Sequence, residues 1–352
     1  MRALITGGAG FIGSHLAEAL LGAGHQVAVL DDLSTGSSEN IAHLERHPRF
    51  ECVVGSVCDE RLTGSLVQRA DIVFHLAAAV GVKLVIDAPI HTIETNVNGT
   101  EVVLRHARRH RTRVVVASTS EVYGKSATFP FREDADLVLG PPTKCRWGYA
   151  ASKLIDEFLA LAYWKEHQVP TIVVRFFNSV GPRQCSRYGM VLPNFVRHAL
   201  SGQPLIVHGD GGQTRSFTWV GDVISALMAL ASEPRAAGEV FNVGNDREIS
   251  IGELAVKVRA LADSDSDIRF VPYAQAYGAD FEDMHRRVPD ISKLRRLVGY
   301  QPKVQLDEIV MRTIEYWRTD VAVAAADRHM VPAPAIAARR IFPELASQGS
   351  TA

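Results

Sequence analysis

Thr6-Gly7-Gly8-Ala9-Gly10-Phe11-Ile12-Gly13 is the stretch on which the fold of this chain turns. It follows a short apolar run, Ala3–Thr6, and opens a helix predicted over Phe11–Ala23. Gly7, Gly10 and Gly13 stand in a G-x-x-G-x-x-G spacing. The first permits a tight turn, the second lets backbone approach a pyrophosphate, and the third lets helix and strand pack closely. A helix that starts there turns unpaired N–H groups and its positive dipole end toward phosphates, with Phe11 and Ile12 carried on the same turn.

Outward from this stretch, β-branched apolar runs alternate with helical patterns. Strands are predicted at Ala3–Thr6, Val27–Leu30, Phe50–Val54, Ile72–Leu76, Val114–Ser118 and Thr171–Phe176, and helices at Phe11–Ala23, Ile93–His110 and Tyr149–His167. Continuously apolar strands separated by helices belong to a parallel sheet covered on both faces. The expected architecture is therefore α/β, a Rossmann-type doubly wound parallel sheet over residues 1–178. After Asn178, glycine and proline break the chain into shorter elements. A smaller mixed α/β substrate-binding domain is expected over 179–318, with 216–245 returning to the first domain through a strand at Val240–Val243. The Ala- and Pro-rich segment 319–352 is expected to be a peripheral tail.

The second strand ends in Leu30-Asp31-Asp32, where an acid meets the hydroxyls of an adenosine ribose. A carboxylate there repels a 2′-phosphate, and no arginine immediately follows, so the cofactor expected is NAD rather than NADP. One of the two aspartates is free to be a solvated turn residue.

Tyr149-Ala150-Ala151-Ser152-Lys153 sets a phenol and an ammonium four residues apart on one helical face. A phenol is a poor base near neutrality, and a neighbouring cation stabilises the phenolate. The fifth strand ends in Ser118-Thr119-Ser120-Glu121, at the mouth of the crevice such sheets form. Thr119 would complete a catalytic set with Tyr149 and Lys153. Either Ser118 or Ser120 would serve equally well as a helix cap.

Bulk properties exclude several classes. With 38 basic against 39 acidic residues in 352, nothing marks a nucleic-acid partner. Cys52, Cys58, Cys145 and Cys185 lack metal-ligand spacing, so no metal is expected and reduced thiols, buried or incidental, are the reading. Met1 to Ile5 run straight into a strand, leaving no signal-peptide pattern, and no apolar run is long enough for a bilayer. The expected location is cytoplasmic.

Taken in order, the glycine fingerprint, His75-Leu76-Ala77-Ala78, Asn96-Val97-Asn98-Gly99-Thr100, Ser118-Thr119-Ser120-Glu121-Val122-Tyr123-Gly124, Tyr149/Lys153 and Arg175-Phe176-Phe177-Asn178 resemble the NAD-dependent epimerase/dehydratase family of extended short-chain dehydrogenases, over residues 2 to 318. The resemblance implies a nucleotide-sugar substrate and a homodimer built on the helices Ile93–His110 and Tyr149–His167. It places Ser34, Thr35, Gly36, Ser56, Val57, Leu76, Ala77, Ala78, Asn96 and Ser118 along the cofactor. It places Ser120, Glu121, Asn178, His208, Gln213, Arg215 and Arg287 on a UDP-sugar, with Arg215 on the diphosphate. Where the family often has Gly-Asp after the third strand this chain has Gly55-Ser56, so an adenine contact is lost, and Asp59 either replaces it or does not.

The reaction implied begins with Tyr149 taking the O4 proton of the sugar. A 4,6-dehydratase of this family carries an Asp where this chain has Ser120, so dehydration is disfavoured. Thr119-Ser120-Glu121 is similar to UDP-glucuronate decarboxylases, whereas the surroundings of Tyr149, Arg146-Trp147-Gly148, depart from them. The overall pattern is most similar to UDP-glucuronate 4-epimerases, so epimerisation is the expectation, with decarboxylation or UDP-glucose epimerisation as the alternatives and a non-catalytic NAD sensor outside them. Arg187 is expected to orient the sugar or else to be an exposed loop residue.

Overall fold

The computed structural model describes residues 1–184, 190–277 and 282–327. Its centre is a seven-stranded sheet made of β1 (Arg2–Thr6), β2 (Gln26–Asp31), β3 (Phe50–Val54), β4 (Ile72–His75), β5 (Arg113–Thr119), β6 (Thr171–Phe176) and a seventh strand, Glu239–Val243. The spatial order is seventh, β6, β5, β4, β1, β2, β3, with every pairing parallel. The winding reverses between β1 and β4, the point where doubly wound sheets open a ligand crevice. This is the Rossmann-type sheet that the fingerprint predicts.

The central strands β1, β4, β5 and β6 are largely apolar and buried because helices cover both faces. On one face α1 (Phe11–Gly22) and α7 (Val220–Ser232) pack Leu16, Leu20, Val223 and Leu227 over Ile5, Phe74 and Val115. On the other, α4 (Pro89–His110) and α5 (Arg146–His167) pack Val103, Leu104 and Ala160 over Leu4, Val73 and Val116. A short helix, α3 (Val82–Asp87), precedes α4, which starts upstream of the predicted Ile93 because Pro89 sits in its first turn, where no backbone donor is missed. α2 (Glu60–Gln68) is capped by Asp59, which accepts from the N–H groups of Arg61 and Leu62 at 3.0 Å. Asp59 is therefore engaged as a cap and does not line the cavity described below.

Beyond β6, a second core joins α6 (Val191–Leu200), α8 (Ile251–Leu261) and the last helix, Leu306–Asp327. Short sheets accompany it: Leu205–His208 pairs with Ile268–Val271, and Thr214–Ser216 lies between Glu248–Ser250 and Arg286–Arg287. α7 and the seventh strand return to the large sheet. The last helix continues through the expected start of the tail at 319 as far as Asp327; 328–352 lie outside the described residues. No helix among the described residues is long and apolar enough to cross a membrane. Cys52, Cys58 and Cys145 are free and exposed rather than buried, and Cys185 is outside the described residues.

Candidate active site

A cavity of about 1040 Å³ opens over the carboxyl ends of β1, β2, β4, β5 and β6 and runs on to the second core. Gly7 adopts φ +71°, and a Cβ there would meet the backbone N of Ala77 at 2.7 Å. A side chain is excluded twice, by conformation and by the loop after β4. A Cβ at Gly13 would collide with the Gly7 carbonyl and the Gly8 Cα, so helix and strand touch as the fingerprint requires. Gly10 caps α1 without any side-chain hydrogen bond, leaving the first N–H groups of the helix to a ligand.

Leu76, Ala77, Ala78, Phe11 and Ile12 line this end, as do Ser34, Thr35, Gly36 and Val57. Both aspartates line it too. Asp31 is buried, and its carboxylate accepts from Ala9 N at 2.9 Å and Leu33 N at 2.8 Å; burial pushes its carboxyl upward against those hydrogen bonds. Asp32 is exposed and fastens the turn through Ser34 N and Oγ. The cradle that a Cβ would fill, the uncapped helix and the paired acids fit NAD.

Two predicted cofactor residues stand elsewhere. Ser56 does not line the cavity; its hydroxyl accepts from Cys58 N. Asn96 is fully buried behind the wall, bonding Ala79 N at 2.8 Å and Ser152 Oγ at 3.0 Å. It holds the Leu76–Ala79 loop against α5 instead of reaching into the cavity.

At the centre, Tyr149 and Lys153 of α5 face Thr119 at the end of β5. Enclosure by the walls pushes the Tyr149 phenol above its usual range, Glu121 adds to this, and the Thr119 hydroxyl opposes it. Neither serine is the cap: Thr119 accepts from Glu121 N at 3.2 Å, Ser118 donates to Glu157 beneath the strand, and Ser120 is buried at the cavity edge. Asn178, at φ +28°, donates to the Ser216 carbonyl at 2.9 Å and keeps its place on the cavity wall.

The far end carries charges that the sequence only half announces. Glu121 Oε1 lies 3.3 Å from Arg287 and 3.5 Å from Arg146. Asp283 takes Arg146 at 3.1 Å, Arg215 at 2.9 Å and the Tyr273 hydroxyl at 2.9 Å. Among the described residues three guanidinium groups thus face two carboxylates, leaving net positive charge for an anionic ligand. Burial lowers Arg215 to about 10, and Asp283 stays below the usual carboxylate range because the arginines outweigh its own burial. His208 sits 6.4 Å from the Tyr273 ring, and Gln213 donates to its carbonyl at 2.8 Å. Arg187 lies outside the described residues. Arg146, Tyr273 and Asp283 escaped the sequence reading. Arg146 carried a signal, one helical turn before Tyr149; Asp283 carried none.

The family model described as GDP-mannose 4,6 dehydratase matches residues 4–313. The chain is 42% identical over 318 residues to a UDP-N-acetyl-alpha-D-glucosaminuronate decarboxylase of Bacillus cytotoxicus, covering 90% of this chain and 98% of that protein. It is 37% identical over 335 residues to UDP-glucuronic acid decarboxylase 1 of Danio rerio, covering 95% and 76%. Its fold is similar to the UDP-glucuronic acid 4-epimerase of Bacillus cereus, solved with UDP-glucuronic acid and NAD, with a TM-score of 0.82, 28% identity and coverage of 91% and 99%.

Proposed function

Because the chain belongs to the extended short-chain dehydrogenase family of NAD-dependent nucleotide-sugar epimerases and dehydratases, we propose that it decarboxylates a UDP-linked uronic acid, UDP-glucuronate first among them, to a UDP-pentose. This replaces the 4-epimerisation expected above. That expectation leaned on the departure around Tyr149, yet Arg146, part of the departure, binds Glu121 and Asp283 in the same charged cluster. The sequence relatives named above are decarboxylases of UDP-uronates, which supports the reading.

The observation that carries it is Glu121, bound to Arg146 and Arg287 beside the Tyr149 phenol. NAD, when bound, supplies reversible acceptance of the C4 hydride. Tyr149, hydrogen-bonded to the Thr119 hydroxyl, takes the O4 proton, and Lys153 lies on the same helical face. The resulting 4-keto uronate is a β-keto acid: the C5–C6 bond breaks, its electron pair moves toward the C4 oxygen, and carbon dioxide leaves. The net positive charge of the cluster suits the C6 carboxylate on arrival, and Glu121 holds Arg146 and Arg287 in place for it. C5 then takes a proton from solvent, and the proton held by Tyr149 returns to O4 as C4 regains its hydride, which completes the pentose. Arg215, with His208 and Gln213 nearby, suits the diphosphate and base. Ser120 offers no acid for dehydration.

Epimerisation keeps the support of the fold likeness to the Bacillus cereus enzyme. NMR of products from NAD-loaded protein given UDP-glucuronate or UDP-N-acetylglucosaminuronate separates the two: a pentose with released carbon dioxide is expected, and UDP-galacturonate as the product overturns decarboxylation. The exposed Ile90 and Ile93 on α4 and Ile155 and Phe158 on α5 support the homodimer as part of this proposal. Phe158→Glu is expected to shift the protein toward monomer in sedimentation.

A further inference from the structure

Lys153 does not stand alone on the buried face of α5. Its Nζ lies 2.6 Å from Asp156 Oδ2, one turn along α5, with the lysine 2% and the aspartate 0% exposed. Asp156 Oδ1 is buried without a hydrogen-bond partner of proper geometry, yet the Thr100 hydroxyl of α4 lies close enough to favour the charged carboxyl. Thr100 Oγ1 in turn bonds His75 Nε2 at 3.0 Å, and His75 Nδ1 bonds Thr6 Oγ1 at 2.8 Å. Thr6 Oγ1 accepts from Ala77 N at 3.3 Å, on the cavity wall. A buried polar chain therefore runs from the residue before the glycine fingerprint to the lysine of the Tyr-Lys pair.

We propose that Asp156 is a positioning residue: it fixes Lys153 through this chain and sets the strength of the positive field that reaches the Tyr149 phenol. The inference rests on Tyr149 being the base.

One arrangement of protons satisfies every link. Thr6 spends its acceptor on Ala77 N–H and donates to His75 Nδ1. His75, neutral in its burial, donates from Nε2 to Thr100, whose own proton then points to Asp156. A lone ammonium so deep would be a costly unpaired charge, and Asp156 is its partner. The same carboxylate opposes what Lys153 does for the phenol. The groups that act on Tyr149 are Glu121 and Asp156, which raise its pKa, and the Thr119 hydroxyl and Arg287, which lower it, all beneath the larger effect of enclosure. Those that act on Asp156 are Lys153 and Glu157 on its own helix and Thr100 from α4, with His75 of β4 facing the lysine. Removing the Asp156 charge while keeping its shape leaves Lys153 to act on Tyr149 undivided.

The test is an alkaline absorbance titration of tyrosinate in the NAD-loaded protein without any sugar. The Tyr149 transition is the one that Tyr149→Phe removes. In Asp156→Asn its midpoint is expected to fall by on the order of one pH unit, with bound NAD unchanged. A midpoint that stays where it is overturns the proposal. Should Asp156→Asn fail to fold, Asp156→Ser, which also removes the charge, carries the test, with a fall of the same sign expected and an unchanged midpoint again fatal. Because no sugar is present, a wrong substrate assignment leaves this titration untouched. A wrong base assignment shows as Tyr149→Phe keeping full turnover.

Discussion

Arg175 grips Glu157 through two parallel hydrogen bonds, Nε to Oε1 at 2.9 Å and Nη2 to Oε2 at 2.7 Å, both side chains buried between β6 and α5. Ser118, at the end of β5, donates to the same carboxylate. The pair therefore ties the strand that presents Thr119 to the helix that presents Tyr149. Burial works against the guanidinium charge, and Glu157 more than offsets it. Glu157→Gln is expected to cost about 3–5 kcal/mol, read as a Tm lowered by on the order of 10 °C. An unchanged Tm would show the pair to be dispensable.

Stability is expected to fall in acid, partly through His75. Burial lowers its pKa to about 3, with Lys153 adding to the effect, while the unfolded chain takes up the proton near 6.5. For a base with a depressed folded pKa, the unfolded state binds more protons between those values. Its contribution is thus fully present above about 6.5 and is lost as pH falls toward 3, with a slope of at most about 1.4 kcal/mol per pH unit. Urea unfolding at pH 7 and pH 5 should show this loss in the wild type and less of it in His75→Gln.

Gly7→Ala forces a Cβ into both a left-handed backbone and the Ala77 amide. The protein should purify with far less NAD than wild type, measured by release of the nucleotide on denaturation. Retention of full NAD content would mean that the loop after β4 yields more than the contact distance allows.

Arg215→Ala should raise KM for the UDP-sugar on the order of tenfold or more, with NAD content unchanged, since Arg215 belongs to the far end of the cavity. Asp283 then loses one side-chain partner, with Arg146, Tyr273 and the Met284 N–H remaining. A drop in kcat at constant KM would instead place Arg215 in the chemistry.

The sheet was legible because its signals are local. Buried parallel strands read as β-branched runs, and Thr171–Phe176 falls where it was predicted, as does the more exposed edge strand Phe50–Val54. Helix starts were less so, since α5 begins at Arg146 with no capping side chain to mark its first turn. Within the site, residues on contiguous motifs were found, whereas Tyr273 and Asp283 meet Arg215 only through the folding of distant short strands. Asn96 shows the opposite failure. Its motif was recognised, but a buried amide has to satisfy itself, and Ala79 and Ser152 do so before any ligand can. Asp156 was readable in principle as an acid on the buried face of α5, one turn from Lys153.

The seventh strand, Glu239–Val243, lies beside β6 after the chain has already built part of the second core. Its return makes the protein a poor subject for modular recombination. A fragment cut at 178 would leave β6 as an open edge with unpaired backbone groups, prone to pairing with other chains. A chimaera meant to exchange substrate preference would have to take its foreign segments on either side of α7 and this strand and keep both from the host.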